Sequence, residues 1–303
     1  MKILNRLAIY KSCIKRMMAD MKQLSYGQKT GFDLLQLSHR LEKGLLIKNP
    51  KPLWGWEKAY KMDSLLKINR DEFAATTAKS VLSAYLDSKS KSSYQEDRDS
   101  YTAFIQKTGY QLVPFENIGG TIEVKKNDFS SDEFVVIEKM FNTRHSCREF
   151  SSQHVKEEDI AHAVNMALRC PSACNRQPFK VYVIDPSKLE QQLGGSLQYQ
   201  GDRTVVITGD VRAFNANELL DWLISPSIFA GYLTLAFHSL GIGCCVIRKD
   251  LVKPSDYNEA VRAVTGMDES ERIVLELFIG YYNDDYSAPV SNRKDASDVI
   301  KFV

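Results

Sequence analysis

Two short strings in the second half of the chain carry residue types able to do chemistry together. In RHSCREF, Arg144 to Phe150, two arginines bracket a serine at alternate positions. Residues two apart in an extended backbone project to one face, so Arg144, Ser146 and Arg148 are predicted to converge. Guanidinium groups grip phosphate oxygens through charge-assisted, often bidentate hydrogen bonds, which suits a phosphate monoester. A surface strand whose arginines pair with Glu149 or Asp159 is the competing reading. One helix-length later comes PSACNRQPF, Pro171 to Phe179. There Pro171 and Pro178 stiffen a loop in which Ser172, Asn175 and Gln177 offer donors and acceptors. A polar helix-to-strand turn would use the same residues.

These strings carry a family resemblance. RHSCREF resembles the opening signature of the FMN-dependent nitroreductases, PSACNRQPF is similar to their second, and GIGCCVI, Gly241 to Ile247, to a third, glycine-bearing turn. The resemblance implies that Arg144, Ser146 and Arg148 hold the flavin phosphate and ribityl chain. It implies that Pro171, Ser172, Ala173, Asn175 and Gln177 line the ring, and that the turn before Cys244 and Cys245 brings backbone amides to it. His145 joins the cofactor-binding set, although an extended segment would turn it away from the arginines. Cys244 and Cys245 have simple packing as their alternative. Arg293 in SNRKD, with Lys294 as its alternate, is the late basic residue expected to return to the phosphate.

The implied activity is a ping-pong oxidoreductase: NAD(P)H reduces bound FMN, which then reduces an electron-poor small molecule, with no side-chain nucleophile. Two other readings stay open, a flavin oxidase or dehydrogenase acting on a polysaccharide-pathway intermediate and a non-catalytic flavin-binding scaffold. HRLEKGL, His39 to Leu45, resembles the amino-terminal extension of nitroreductase-like proteins associated with bacterial polysaccharide biosynthesis. A lid or substrate-contact role for His39, Arg40 and Lys43 follows as a hypothesis. Local ion pairing among Arg40, Glu42 and Lys43 is the plainer account.

The elements that must position these residues are legible in outline. The chain has 303 residues, 44% of them hydrophobic, enough for one large or two modest domains. A formal net charge of +2 argues against a nucleic-acid partner. Six cysteines are too sparse for a disulfide scaffold, and their spacing is not that of a zinc knuckle, so a reducing cytoplasmic setting without a metal is expected. No stretch is apolar enough to cross a bilayer. Basic residues interrupt the first 24 positions, denying them the middle of an export signal. Ile3, Leu7, Tyr10, Ile14, Met17 and Met21 predict an amphipathic helix there.

Residues 1–130 read as a helical amino-terminal extension, with NPKPLWGWEKAY as punctuation and a polar, solvated turn or mobile loop at Ser88 to Ser93. Gly119-Gly120 and the KKND run mark the boundary. Residues 131–303 then alternate helices and strands, predicting an α+β domain whose central sheet is covered by helices. The resemblance makes that sheet mostly antiparallel and the protein a homodimer. A long apolar helix from Glu218 to Leu240, with Pro226 as a kink or a second start, is hydrophobic nearly all round and would be buried at a dimer interface.

Overall fold

The computed structural model describes residues 30–123, 129–195, 200–215, 220–247 and 256–303, with Leu197, Glu218, Lys11, Ile14, Lys15 and Met18. The predicted amino-terminal amphipathic helix and the KKND run otherwise lie outside the described residues.

Four helices form the first unit: α1 (Thr30–Leu45), α2 (Trp56–Leu66), α3 (Glu72–Ser90) and α4 (Gln95–Thr108). In α1, Leu34, Leu37 and Leu41 recur at three- and four-residue steps and are buried against Ala78, Leu82 and Tyr85 of α3 and Phe104 of α4. Gly44, the glycine of HRLEKGL, lies under the Trp54 indole, which stands 1.5 Å from where a Cβ would be. The Ser88 to Ser93 stretch is helical as far as Ser90 and turns only from Lys91. Helix α3 continues to Ser90 because Lys89 is buried and bonds both carboxylate oxygens of Asp97 at 3.0 and 2.9 Å, while Ser92 donates to the same carboxylate. A polar composition there conceals a buried ion pair.

The second unit contains α5 (Ser131–Thr143), α6 (Glu157–Ala167), β1 (Phe179–Ile184), α7 (Pro186–Leu193), β2 (Arg203–Asp210), α8 (Asp221–Ser239), β3 (Ile242–Ile247), α9 (Asp256–Thr265) and β4 (Glu271–Tyr281). The strands form one antiparallel sheet in the order β1-β2-β4-β3, which makes the architecture α+β as expected. One face packs on α6 and α8 through Ile160, Ala163, Phe229, Leu233, Ile207 and Leu277, with the Phe179 and Phe229 rings stacked at 4.4 Å. The other face packs on α7 and α9 through Leu189, Val206, Tyr257 and Ile273.

Pro226 neither kinks α8 into two nor restarts it; it stands inside one continuous helix. Its ring nitrogen cannot bond the Trp222 carbonyl. That carbonyl instead lies against Gly209 of β2, 2.0 Å from a notional Cβ, so a bare backbone on the strand lets the helix approach. In the single chain α8 buries only part of its surface. Ile224, Ile228 and Tyr232 are exposed, and α5 buries none of its residues while exposing Phe134, Val135, Val136 and Phe141. Between α5, α6 and α8 runs an apolar groove of about 590 Å³, lined by Met140, Phe141, Met166, Ile228, Tyr232 and Leu235.

Candidate flavin site

The RHSCREF segment leaves α5 at Thr143 and crosses the open edge of β3. Arg144 is the first extended residue, with φ −71° and ψ 117°. Ser146 bridges Cys244, Cys147 N–H donates to the Cys244 carbonyl at 2.9 Å, and Phe150 bridges Tyr282. Two glycines make the crossing close: Gly243 and Gly280 are partners across β3 and β4. A Cβ on Gly243 would stand 2.8 Å from Cys147 Cβ, and one on Gly280 would stand 2.7 Å from Phe150 Cβ. Neighbouring side chains therefore fill both hollows.

Arg144 is half-buried, and its charge acts on His238, Cys244 and Tyr282. Arg148 is exposed and lines a small crevice with Cys147, Phe150, Gln200, Cys245 and Phe278. Neighbours on a strand point to opposite faces, so Cys244 and Cys245 separate the surroundings of the two arginines. The segment pairs through these isolated bridges rather than a regular ladder. Among the described residues neither arginine has a carboxylate within salt-bridge distance. Asp159 instead accepts from Tyr281 Oη at 2.5 Å. His145 is half-buried beside Arg144, and together with burial and Arg144 it holds His238 below the ordinary imidazole range.

The second string forms a 3-10 turn at Ala173–Asn175. Ser172 Oγ accepts from Gln177 N–H at 3.2 Å, and Ala173 N–H donates to Ser225 Oγ of α8 at 3.3 Å. Cys174, Asn175 and Gln177 all hold positive φ, at 51°, 50° and 47°. Each such residue costs on the order of 1–2 kcal/mol, least for asparagine, and persists only where its surroundings enforce it. Arg176 supplies that enforcement and had no role in the sequence reading. Its side chain, 1% exposed, donates to the Ala213 carbonyl at 2.6 Å, meets Glu218 at 2.7 and 3.1 Å, and lies over the Phe214 ring. Burial works to raise the Glu218 carboxyl, but Arg176 holds it below the usual range. An arginine buried inside a motif has no local signal, because its acid partner is 42 residues away.

Helix α1 packs onto the 173–175 turn. His39 is half-buried there and pushed below the ordinary imidazole range by burial, Lys43 and Arg176, whereas Arg40 and Lys43 point into solvent. A cleft of about 300 Å³ opens beside this contact, bounded by Phe32, Leu35, Arg176, Gln177, Pro178 and Phe179.

Cys244 and Cys245 are both buried, and burial pushes the Cys244 thiol up to about 12, which suits packing rather than thiolate chemistry. The described cysteines, Cys147, Cys170, Cys174, Cys244 and Cys245, are free thiols. Among the described residues no cluster of His, Cys, Asp and Glu is arranged to hold a metal ion, and no helix is long and apolar enough to cross a membrane. Arg293 lies in an exposed carboxyl-terminal tail, where its described polar contacts are with Ser291 and Asn292.

The described residues thus form a helix-covered antiparallel sheet with two arginines at its rim that have no carboxylate partner among the described residues, beside a polar loop with three residues at positive φ. The model of the nitroreductase family matches residues 142–203, a span containing both RHSCREF and PSACNRQPF. A relative from Archaeoglobus fulgidus, named provisionally as an NADH dehydrogenase/NAD(P)H nitroreductase, is 24% identical over 152 residues, covering 48% of this chain and 86% of its own length. Among solved structures, a nitroreductase-like family protein from Bacillus cereus is similar with a TM-score of 0.47 at 17% identity, covering 59% of this chain and 99% of that one. An FMN-dependent nitroreductase from Clostridium difficile R20291 is similar with a TM-score of 0.42 at 21% identity, covering 55% and 98%.

Proposed function

We propose that this chain is an FMN-dependent oxidoreductase of the nitroreductase kind, using NAD(P)H to reduce an electron-poor small molecule. The observation that carries the reading is the pair Arg144 and Arg148, which lie on the rim of β3 without carboxylate partners among the described residues. Unpaired guanidinium groups beside a serine form a donor set that fits a phosphate monoester. Arg144, Ser146 and Arg148 would hold the phosphate and ribityl chain, with His145 alongside. Pro171, Ser172, Ala173, Asn175 and Gln177 would bound the ring, and the backbone of the turn leading to Cys244 and Cys245 would close its polar edge. When bound, FMN supplies hydride acceptance from NAD(P)H and donation to the acceptor in alternate half-reactions. The chain's own part is to orient the ring, place donors at its polar edge and exclude water.

The same reading makes the working form a cytoplasmic homodimer. The uncovered faces of α5 and α8 and the groove between them fit a second copy, and the exposed tail carrying Arg293 would reach the phosphate from that copy. Residues 1–130 would be a helical amino-terminal extension to an FMN-binding domain of residues 131–303. Its association with polysaccharide pathways rests on HRLEKGL alone, whose glycine has a packing reason beneath Trp54.

The test is flavin content. Arg144→Ala with Arg148→Ala should lower FMN per chain at least tenfold after reconstitution, since each charge-assisted bond contributes roughly 1.5–3 kcal/mol. Undiminished yellow protein would refute the assignment. Anaerobic stopped-flow mixing with NADH or NADPH separates this activity from an oxidase, which nicotinamide would leave oxidised.

A further inference from the structure

The surroundings of Arg144 support a step that rests on the flavin reading and deepens it. Thr143, the last residue of α5, donates its hydroxyl to the Lys139 carbonyl at 2.8 Å. A threonine hydroxyl carries one proton. In the 2.8 Å contact between Thr143 Oγ1 and His238 Nε2 the oxygen therefore accepts and the ring nitrogen donates. Nδ1 of the neutral ring is left as an acceptor, and Tyr282 Oη, 3.0 Å away, donates to it. Burial, Arg144 and His145 all favour this neutral ring. The Tyr282 phenol is correspondingly pushed upward, mainly by burial, and keeps its proton.

The ring of Tyr282 is held in turn. It stacks on Tyr286 at 4.8 Å, meets His238 edge to face at 5.9 Å, and lies against Gly243, with Cε1 2.9 Å from a notional Cβ. His238 thus ties the end of α5, the last turn of α8 and the residue after β4 together, one residue before the phosphate-grip arginine. Without a carboxylate partner among the described residues to aim it, the Arg144 guanidinium takes its direction from where the backbone leaves Thr143.

We propose that His238, fixed in its Nε2–H tautomer by Tyr282, is a positioning residue for the phosphate end of the flavin site, acting through Thr143 on Arg144. A role confined to general stability would weaken every flavin alike. A role in aiming Arg144 weakens only the flavin that carries a phosphate.

The experiment measures dissociation constants for FMN and for riboflavin by fluorescence titration of the full chain, with folding checked by circular dichroism. His238→Phe should weaken FMN about tenfold, the effect of misaligning roughly one charge-assisted bond, and leave riboflavin within about twofold. Thr143→Val removes the acceptor at an exposed position and should give the same FMN-selective loss, so the test survives should the His238 variant misfold. His238→Gln, whose amide can still donate to Thr143, should recover most of the affinity. Equal weakening of both flavins, or unchanged FMN affinity in His238→Phe and Thr143→Val, overturns the proposal alone. Wild-type protein that binds neither flavin overturns the flavin reading beneath it.

Discussion

Gly243→Ala is the sharpest test of how the site is built, because its effect follows from distances alone. The new Cβ would stand 2.8 Å from Cys147 Cβ, 2.9 Å from Cys147 Sγ and 2.9 Å from Tyr282 Cε1. Two of these atoms are a Cβ and a ring carbon rather than tips of flexible chains, so relief requires the RHSCREF backbone to retreat. Retreat strains the 2.9 Å bond from Cys147 N–H to the Cys244 carbonyl. Overpacking of this kind costs about 1–3 kcal/mol, and the strand preference of alanine over glycine returns roughly 0.5–1 kcal/mol. The expected net loss is about 1 kcal/mol, within a span of roughly 0–2.5 kcal/mol, by urea denaturation, with weaker FMN binding because Arg144, Ser146 and Arg148 ride on the displaced segment. Gly195→Ala, where nothing lies within 4 Å, serves as the control and should be near neutral. In a Cys147→Gly background two of the three contacts vanish, so the alanine should cost about 1 kcal/mol less, a coupling typical of touching residues. Additive costs in that cycle, or a Gly243→Ala protein of unchanged stability and flavin affinity, would refute the packing argument.

Three further outcomes are expected. Asp97→Asn leaves the buried Lys89 ammonium without a counter-charge and should destabilise the helical unit by roughly 3–5 kcal/mol in denaturation followed by circular dichroism. Burial pushes the Asp97 carboxyl upward, but Lys89, Leu53 N–H and Ser92 more than offset it and hold the group below the usual carboxylate range. Its stabilisation is therefore complete above the ordinary aspartate range and lost as pH falls through the lowered folded value, an acid limb that Asp97→Asn should abolish. Iodoacetamide at pH 8 should leave Cys244 unlabelled in native protein while half-buried Cys174 reacts, read by peptide mass spectrometry; equal labelling would contradict the burial that raises the Cys244 thiol. Ile228→Asp with Tyr232→Asp should turn a dimer into a monomer in sedimentation velocity, and unchanged sedimentation would remove α8 from the interface.

The sequence made some of this legible and hid the rest for identifiable reasons. Strands β1 to β4 stood out as short apolar runs, and α6 announced itself by apolar spacing with acids in its first turn. Helix α7 did not, because its eight residues bury a single leucine and offer no repeat to detect. The Ser88 to Ser93 stretch misled because composition cannot distinguish a solvated lysine from one buried against Asp97. At the site, the two arginines and the Pro-Ser-Asn loop were readable as types, whereas their placement depended on Gly243 and Gly280 meeting across a strand pair. Arg176 and His238 were invisible for one shared reason: their partners, Glu218 and Tyr282, are distant in sequence, and a single chain of letters carries no pairing information.

Arg176 also explains why the helical unit and the sheet unit are more than neighbours. The 173–177 loop places three non-glycine residues, Cys174, Asn175 and Gln177, at positive φ, a conformation the loop would not hold unaided. Several constraints hold it: the Arg176 contacts with Ala213 and Glu218 and the Ser172–Gln177 and Ala173–Ser225 hydrogen bonds from within, and helix α1 laid over it from outside. Removing the Arg176 contacts or helix α1 leaves the strain less opposed. Helix α1 is in turn held by the core it shares with α3 and α4, and Asp71, at the start of α3, lies against Gly31. The extension is therefore best understood as a brace on the loop. That accounts for its packing on the candidate ring-binding residues while Arg40 and Lys43 of HRLEKGL remain in solvent.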